Sequence, residues 1–358
     1  MTDWSFPSRP AAGSAPSRVK SVDPLRGLAA LVVCLFHFLT RPESPLAAQF
    51  DHSLLARYGW MGVQSFFVIS GFVVPLAMCR GGYRIADIGT FTLKRLVRLD
   101  PPFLVSILVV LVLNRLLPGT IDQPVPPAVT PTVLLGHVFY GFSHLFAEFD
   151  WLNSVYWTLE IEFQYYVLIA LLLPVLVLPA RWPAACAIGG LLLLAFVDPP
   201  AWPLFHWGPV FCFGIVLFLR VSGMWSRPTA LAAWLVVALV CWLTTGRAVT
   251  VVAGSTTLAI ALWQQPGRVF GHLGRLSFSF YLVHVPIGGR MLVHAGRLGV
   301  AGFWLFPVFV LALAASLLAA HLLWRFVERP AQSMAQRIVY NTRLSSPRMD
   351  GPLVGDGV

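Results

Sequence analysis

The chain has 358 residues, of which 57% are hydrophobic and only 11% charged, and its mean hydropathy is +0.75. A soluble domain is about 25% charged, so this composition excludes a water-soluble globular protein, and it fits neither a disordered chain nor a disulfide-rich secreted scaffold. What remains is a polytopic membrane protein, and the net charge of +10 is read against a bilayer rather than against nucleic acid.

In chain order, residues 1–20 are polar and rich in Pro and Ser, which predicts a disordered cytoplasmic lead. The first apolar run is too long for a cleaved signal peptide, lacks a small-residue cleavage pattern and holds Arg26 and His37. Taking about 20 mostly apolar residues per span, ten segments qualify: roughly 22–40, 59–79, 96–117, 154–179, 183–197, 203–220, 229–245, 248–264, 276–294 and 301–326. A shorter apolar stretch, 132–147, contains His137, Gly141 and His144 and is expected to be interfacial or re-entrant. Residues 333–358 form a polar tail. The predicted fold class is therefore all-α, with about ten transmembrane helices spread over one domain, 21–332.

Orientation follows from the basic residues. With both termini in the cytoplasm, most of the 25 Lys and Arg fall on that side, whereas loop 118–153 has none and carries Asp122, Glu148 and Asp150. Making 132–147 a span would invert every later loop and lose this asymmetry. Cys34, Cys79, Cys186, Cys212 and Cys241 all lie in or at the ends of apolar runs without C-x-x-C spacing, so no disulfide framework or metal site is expected.

An ionisable group inside a span costs at least about 2.5–3.5 kcal/mol, which marks each one as a functional candidate. The first helix carries Asp23, Arg26 and His37. Arg26 and His37 are eleven positions apart, three turns plus about 20°, so they share a face some ~16 Å apart along the axis. Read singly, Arg26 is equally an interfacial anchor and His37 a hydrogen-bonded core histidine. Entering the fourth span, Glu160 and Glu162 point to different helix faces. Glu162 lies at a depth close to that of His37, which suits either an acid–base pair or a structural interhelical hydrogen bond. Arg95 and Arg98 share a face at the mouth of the third span, fit for phosphates or as ordinary cytoplasmic charge. His284 falls mid-span two residues before Pro286, which can kink its helix. Glu328 at the end of the last span is expected to pair with an arginine. On these residues alone, an enzyme and a transporter or flippase of a lipid-linked sugar stand level. A second broken helix in a matching half, which a transporter would call for, is not evident, and neither is the D-x-D of a metal-dependent glycosyltransferase.

Taken together the motifs resemble the acyltransferase 3 family of integral membrane acyltransferases, from about Ser21 to Pro330. The matching pieces are Asp23-Pro24-Leu25-Arg26 leading to His37, Gly62 to Phe72 with Ser70, Arg95-x-x-Arg98, Trp157 to Tyr166, Gly274 through His284-x-Pro286, and Val327-Glu328-x-Pro330. Phe163 stands where the family has a second adjacent glutamate, with an acid at Glu160 instead, and Gln64 stands where an aspartate is common. The resemblance implies transfer of an acyl group, acetyl in the first place, from acyl-CoA to a hydroxyl of a carbohydrate, foremost a cell-surface or exported polysaccharide. It also implies a multi-pass protein of the bacterial cytoplasmic membrane without a metal. His37 would be the base and Glu162 its partner, Arg26, Arg95 and Arg98 would hold the donor phosphates, and Asp23, Glu160, Ser70 and His284 are further candidates. Direct transfer and an acyl-histidine intermediate both fit.

Overall fold

The structure, a computed structural model of the chain, describes residues 21–140, 150–197, 202–263 and 268–340. The expected lead 1–20, most of the polar tail, and Gly141 and His144 lie outside the described residues. Among those described, the regular elements are all helical. The α-helices of eight residues or more are, in order, α1 (Val22–Thr40), α2 (Gly62–Gly81), α3 (Ile88–Leu116), α4 (Pro131–Val138), α5 (Trp157–Leu176), α6 (Arg181–Val197), α7 (Pro203–Val221), α8 (Arg227–Thr245), α9 (Arg247–Leu262), α10 (Arg268–His284), α11 (Arg290–Arg297), α12 (Leu305–Leu323) and α13 (Arg329–Arg337). A π-helical turn, Val285–Gly289, joins α10 to α11, and a second, Trp324–Glu328, joins α12 to α13.

Eight of the described helical segments are long and apolar enough to cross a membrane, and α6 and α9 are shorter apolar helices. The ten expected spans thus comprise eight full-length helices and two short ones. With 16 residues, α9 reaches only about 24 Å at 1.5 Å per residue, below the ~30 Å of a typical hydrocarbon core. The described part of the stretch 132–147, up to Tyr140, holds only α4, which has eight residues and is opened by Thr130, whose hydroxyl accepts from the Val133 N–H, and by Pro131 in the first turn.

Helix starts differ from the apolar windows in a way that matters for the site. The window at about 96 predicts Lys94, Arg95 and Arg98 at the mouth of the third span, but α3 begins at Ile88. Helical hydrogen bonding runs on through polar residues, whereas an apolar window stops at them. Arg98 is therefore ten residues inside the helix, about 15 Å from its start.

Two close crossings organise the bundle. The middle of α7, from Gly208 to Leu219, is buried on every side. It meets α2 where a Cβ on Gly214 would lie 2.1 Å from the Val68 carbonyl oxygen, and one on Gly71 would lie 2.3 Å from that of Phe211. Only two glycines allow this backbone approach, the small-residue packing expected of helices in lipid. Helix α1 runs parallel to α10, and a Cβ on Gly274 would sit 1.8 Å from the Asp23 carbonyl oxygen. That contact sets the register: Arg26 meets Ser277, and eleven residues further along α1 His37 meets His284. The rim helices instead carry exposed leucines, such as Leu231, Leu235 and Leu239 on α8, a face suited to hydrocarbon.

Candidate active site

Two polar centres lie at opposite ends of α1. At the His37 end, the loop after α3 returns over the bundle and buries Asp122, whose side chain is 2% exposed. His37 Nδ1 stands 2.8 Å from Asp122 Oδ2, an ion-pair contact that is off the hydrogen-bonding line. Ser154 Oγ donates to the same oxygen at 2.6 Å, and Arg41 Nε donates to Oδ1. Burial alone would raise the Asp122 carboxyl, but His37, Ser154 and Arg41 outweigh it and hold the group well below the usual carboxylate range. Asp122 is thus ionised at neutral pH and faces an imidazole that is 13% exposed.

His284 packs behind this pair. Its ring lies edge-on to that of His37, with centroids 5.2 Å apart. Its Nδ1 is 2.8 Å from the Tyr281 carbonyl oxygen, which only accepts, so the proton sits on Nδ1. The other nitrogen, Nε2, is buried and has no hydrogen-bond partner among the described residues. The π turn begins at the next residue, Val285; within it Pro286 has no N–H to give, and a Cβ on Gly288 would collide with Phe38 and with the Ala312 carbonyl.

At the Arg26 end, three arginines converge. Arg26 Nε donates to Ser277 Oγ at 3.2 Å, and Arg98 is within electrostatic reach of Arg95, Arg26 and Glu328. The Arg95 guanidinium lies 5.0 Å from the ring centres of both Phe91 and Tyr166. Glu328, on the second π turn, accepts from Ser279 and from Gln332 and lies within reach of Arg26 and Arg98.

Between the centres runs a cavity with about 500 Å³ of free space, lined by Arg26 and Ser277 at one end and by Thr158 and Tyr281 at the other, with Ser70 and Glu162 on its wall. Tyr281 separates it from the histidines: its ring is 5.8 Å from that of His284, and its hydroxyl is held by Val155 O and Thr158.

The structure corrects one pairing. Glu162 was expected beside His37, but it accepts from Ser70 at 3.2 Å and from Tyr166, and the carboxylate at His37 is Asp122. Equal depth on two helices does not put two side chains face to face; α5 turns Glu162 towards α2. Glu160 points elsewhere, holding Gln164, whose Oε1 accepts from the Leu204 N–H at the start of α7. Asp23 marks the α1–α10 crossing through its backbone. Among the described residues no group of three or more His, Cys, Asp or Glu could hold a metal ion.

A family model described as an acyltransferase domain matches residues 19–325. The chain belongs to the acyltransferase 3 family. It is 27% identical to the acyltransferase MdmB of Streptomyces mycarofaciens, over 89% of this chain and 93% of that protein. It is 23% identical to the O-acetyltransferase OatA of Staphylococcus aureus, over 88% of this chain but only 57% of OatA. No solved structure matches. Membership makes this a membrane acyltransferase.

Within this family member, the residue that sequence reasoning missed is Asp122, together with Ser154 and Tyr166. A signal for Asp122 existed: it is an acid in a loop with no basic residue. That loop's charge speaks equally for orientation, and only the return of the chain over α1 distinguishes the two uses.

Proposed function

We propose that the protein transfers an acyl group, acetyl in the first place, from its coenzyme A thioester to a hydroxyl of a carbohydrate acceptor on the other side of a bacterial cytoplasmic membrane. The observation that carries this is the placement of His37 and Asp122 about 16 Å along α1 from three arginines, with a cavity running from the arginine end towards the histidines. The arginine end faces the cytoplasm, where acyl-CoA is found, and takes the phosphates. Both relatives come from bacteria, and one of them is named an O-acetyltransferase. A surface or exported polysaccharide is the acceptor class that suits the far face.

Asp122 holds the proton of His37 on Nδ1, which leaves the Nε2 lone pair for the acceptor hydroxyl. As the hydroxyl oxygen attacks the thioester carbonyl, its proton passes to Nε2. The new C–O bond forms, the C–S bond breaks, and the proton ends on the departing sulfur. The off-line His37–Asp122 approach suits an enzyme without substrate, where such contacts commonly tighten only on binding.

The test is release of free thiol from acetyl-CoA by purified protein in liposomes with a panel of surface glycans. Glycan-dependent release is expected, and Arg98→Gln raises KM for acetyl-CoA about 10- to 100-fold, the loss of one charge-assisted hydrogen bond. Folded wild-type protein that binds no coenzyme A would refute the donor assignment. Ser154→Ala lowers kcat about tenfold with KM for acetyl-CoA unchanged, because Asp122 loses one of its donors.

A further inference from the structure

The cavity wall carries a carboxyl group that the His37 chemistry does not use. Glu162 is half-buried, and both of its hydrogen bonds, from Ser70 and from Tyr166, fall on Oε1. Oε2 takes neither of these hydrogen bonds and belongs to a side chain that lines the cavity. Tyr166 carries Glu162 on its hydroxyl and Arg95 against its ring, so the acid is tied to the arginine centre and not to the histidines.

Charge along the cavity is ordered. Arg26 lines one end, with Arg98 within its electrostatic reach behind it; the acid lines the wall as well, together with Val63, Phe66, Phe67 and Leu159. A carboxylate repels phosphates, so a donor's phosphates stop at Arg26, Arg95 and Arg98. The portion that reaches Glu162 is electrically neutral, slim, and offers N–H or O–H donors on an otherwise aliphatic arm. The pantetheine arm of coenzyme A has that chemistry: two amide N–H groups and a hydroxyl between methylenes and methyls. Resting on the acyl-CoA reading above, we propose that Glu162 is a donor-positioning residue whose Oε2 accepts a hydrogen bond from the pantetheine arm. Ser70 and Tyr166 fix the carboxylate by holding Oε1, and the apolar walls cover the methyl and methylene groups. Through this contact the thioester is aimed past Tyr281 towards His37.

The experiment compares two probes on the full-length protein in nanodiscs, coenzyme A and adenosine 3′,5′-bisphosphate, which has the ribose phosphate but no pantetheine arm. Glu162→Ala is expected to weaken coenzyme A about tenfold or more, as for one hydrogen bond to a charged group, and to leave the bisphosphate unchanged. Glu162→Gln keeps the shape and one acceptor oxygen and weakens coenzyme A less, which separates the contact from a folding defect. In turnover, both variants raise KM for acetyl-CoA more than they lower kcat. Wild-type affinity for coenzyme A in both variants overturns the proposal, as does equal weakening of the two probes. Wild-type protein that binds neither probe brings down the acyl-CoA reading itself, and the proposal with it.

Discussion

Replacing His37 with Ala removes acyl transfer, with an expected loss in kcat of about 10²- to 10⁴-fold, the range for a general base. Coenzyme A affinity stays at the wild-type level, because His37 does not line the cavity that begins at Arg26. Asp122→Asn is expected to fall in the same range, for a reason specific to its geometry. Asp122 presents one oxygen to His37 and Ser154 and the other to Arg41. An amide in its place offers an N–H to His37 Nδ1, moves the imidazole proton to Nε2, and turns the lone pair away from the acceptor hydroxyl. The double variant should lose little beyond His37→Ala alone, since the two residues act as a unit. Thiol release with acetyl-CoA and an accepting glycan measures all three. Full turnover by Asp122→Asn would remove the carboxylate from the mechanism, and full turnover by His37→Ala would remove the base.

Gly214→Val is expected to abolish the folded protein. A Cβ there lies 2.1 Å from the Val68 carbonyl oxygen and 2.6 Å from the Phe72 nitrogen, both backbone atoms. No side-chain rotation relieves such an overlap, so α2 and α7 must separate, which exposes the packing that replaces hydrophobic drive inside lipid. Overpacking within a core costs about 1–3 kcal/mol, occasionally more, and a clash with backbone belongs at the upper end. Gly190→Val on α6 is the control, because nothing lies within 4 Å of a Cβ at that position. Size-exclusion profile and thermal melt in detergent distinguish the two. A Gly214→Val protein that melts like the Gly190→Val protein would show that the α2–α7 crossing is looser than its geometry.

The same contrast explains what could be read without the fold. Each helix is long enough and apolar enough by itself, and its hydrogen bonds are internal, so the spans around residues 22–40, 203–220 and 229–245 are legible within two residues of α1, α7 and α8. Positions on one helix are equally legible: Arg26 and His37 share a face through helical arithmetic alone. Legibility fails where polar residues prolong a helix. Arg95 and Arg98 therefore lie well inside their helix rather than at its start, where a hydropathy window places them, and the last helix runs through Glu328.

Composition, helical periodicity and motif spacing suffice for the class: a polytopic helical membrane protein, its acyltransferase motifs, and the histidine and arginines that its first and third helices carry. Which carboxylate meets the histidine was decided by tertiary structure alone. Glu162 and Asp122 are both acids near the right depth, and nothing local to either one says where the other helices turn. The α1–α10 and α2–α7 crossings set the rotation of α1 and α2, and the loop after α3 then reaches across 81 residues of sequence to bring Asp122 to Arg41 and His37. Rotation about a helix axis and the path of a loop depend on packing between segments, which no window along one chain contains.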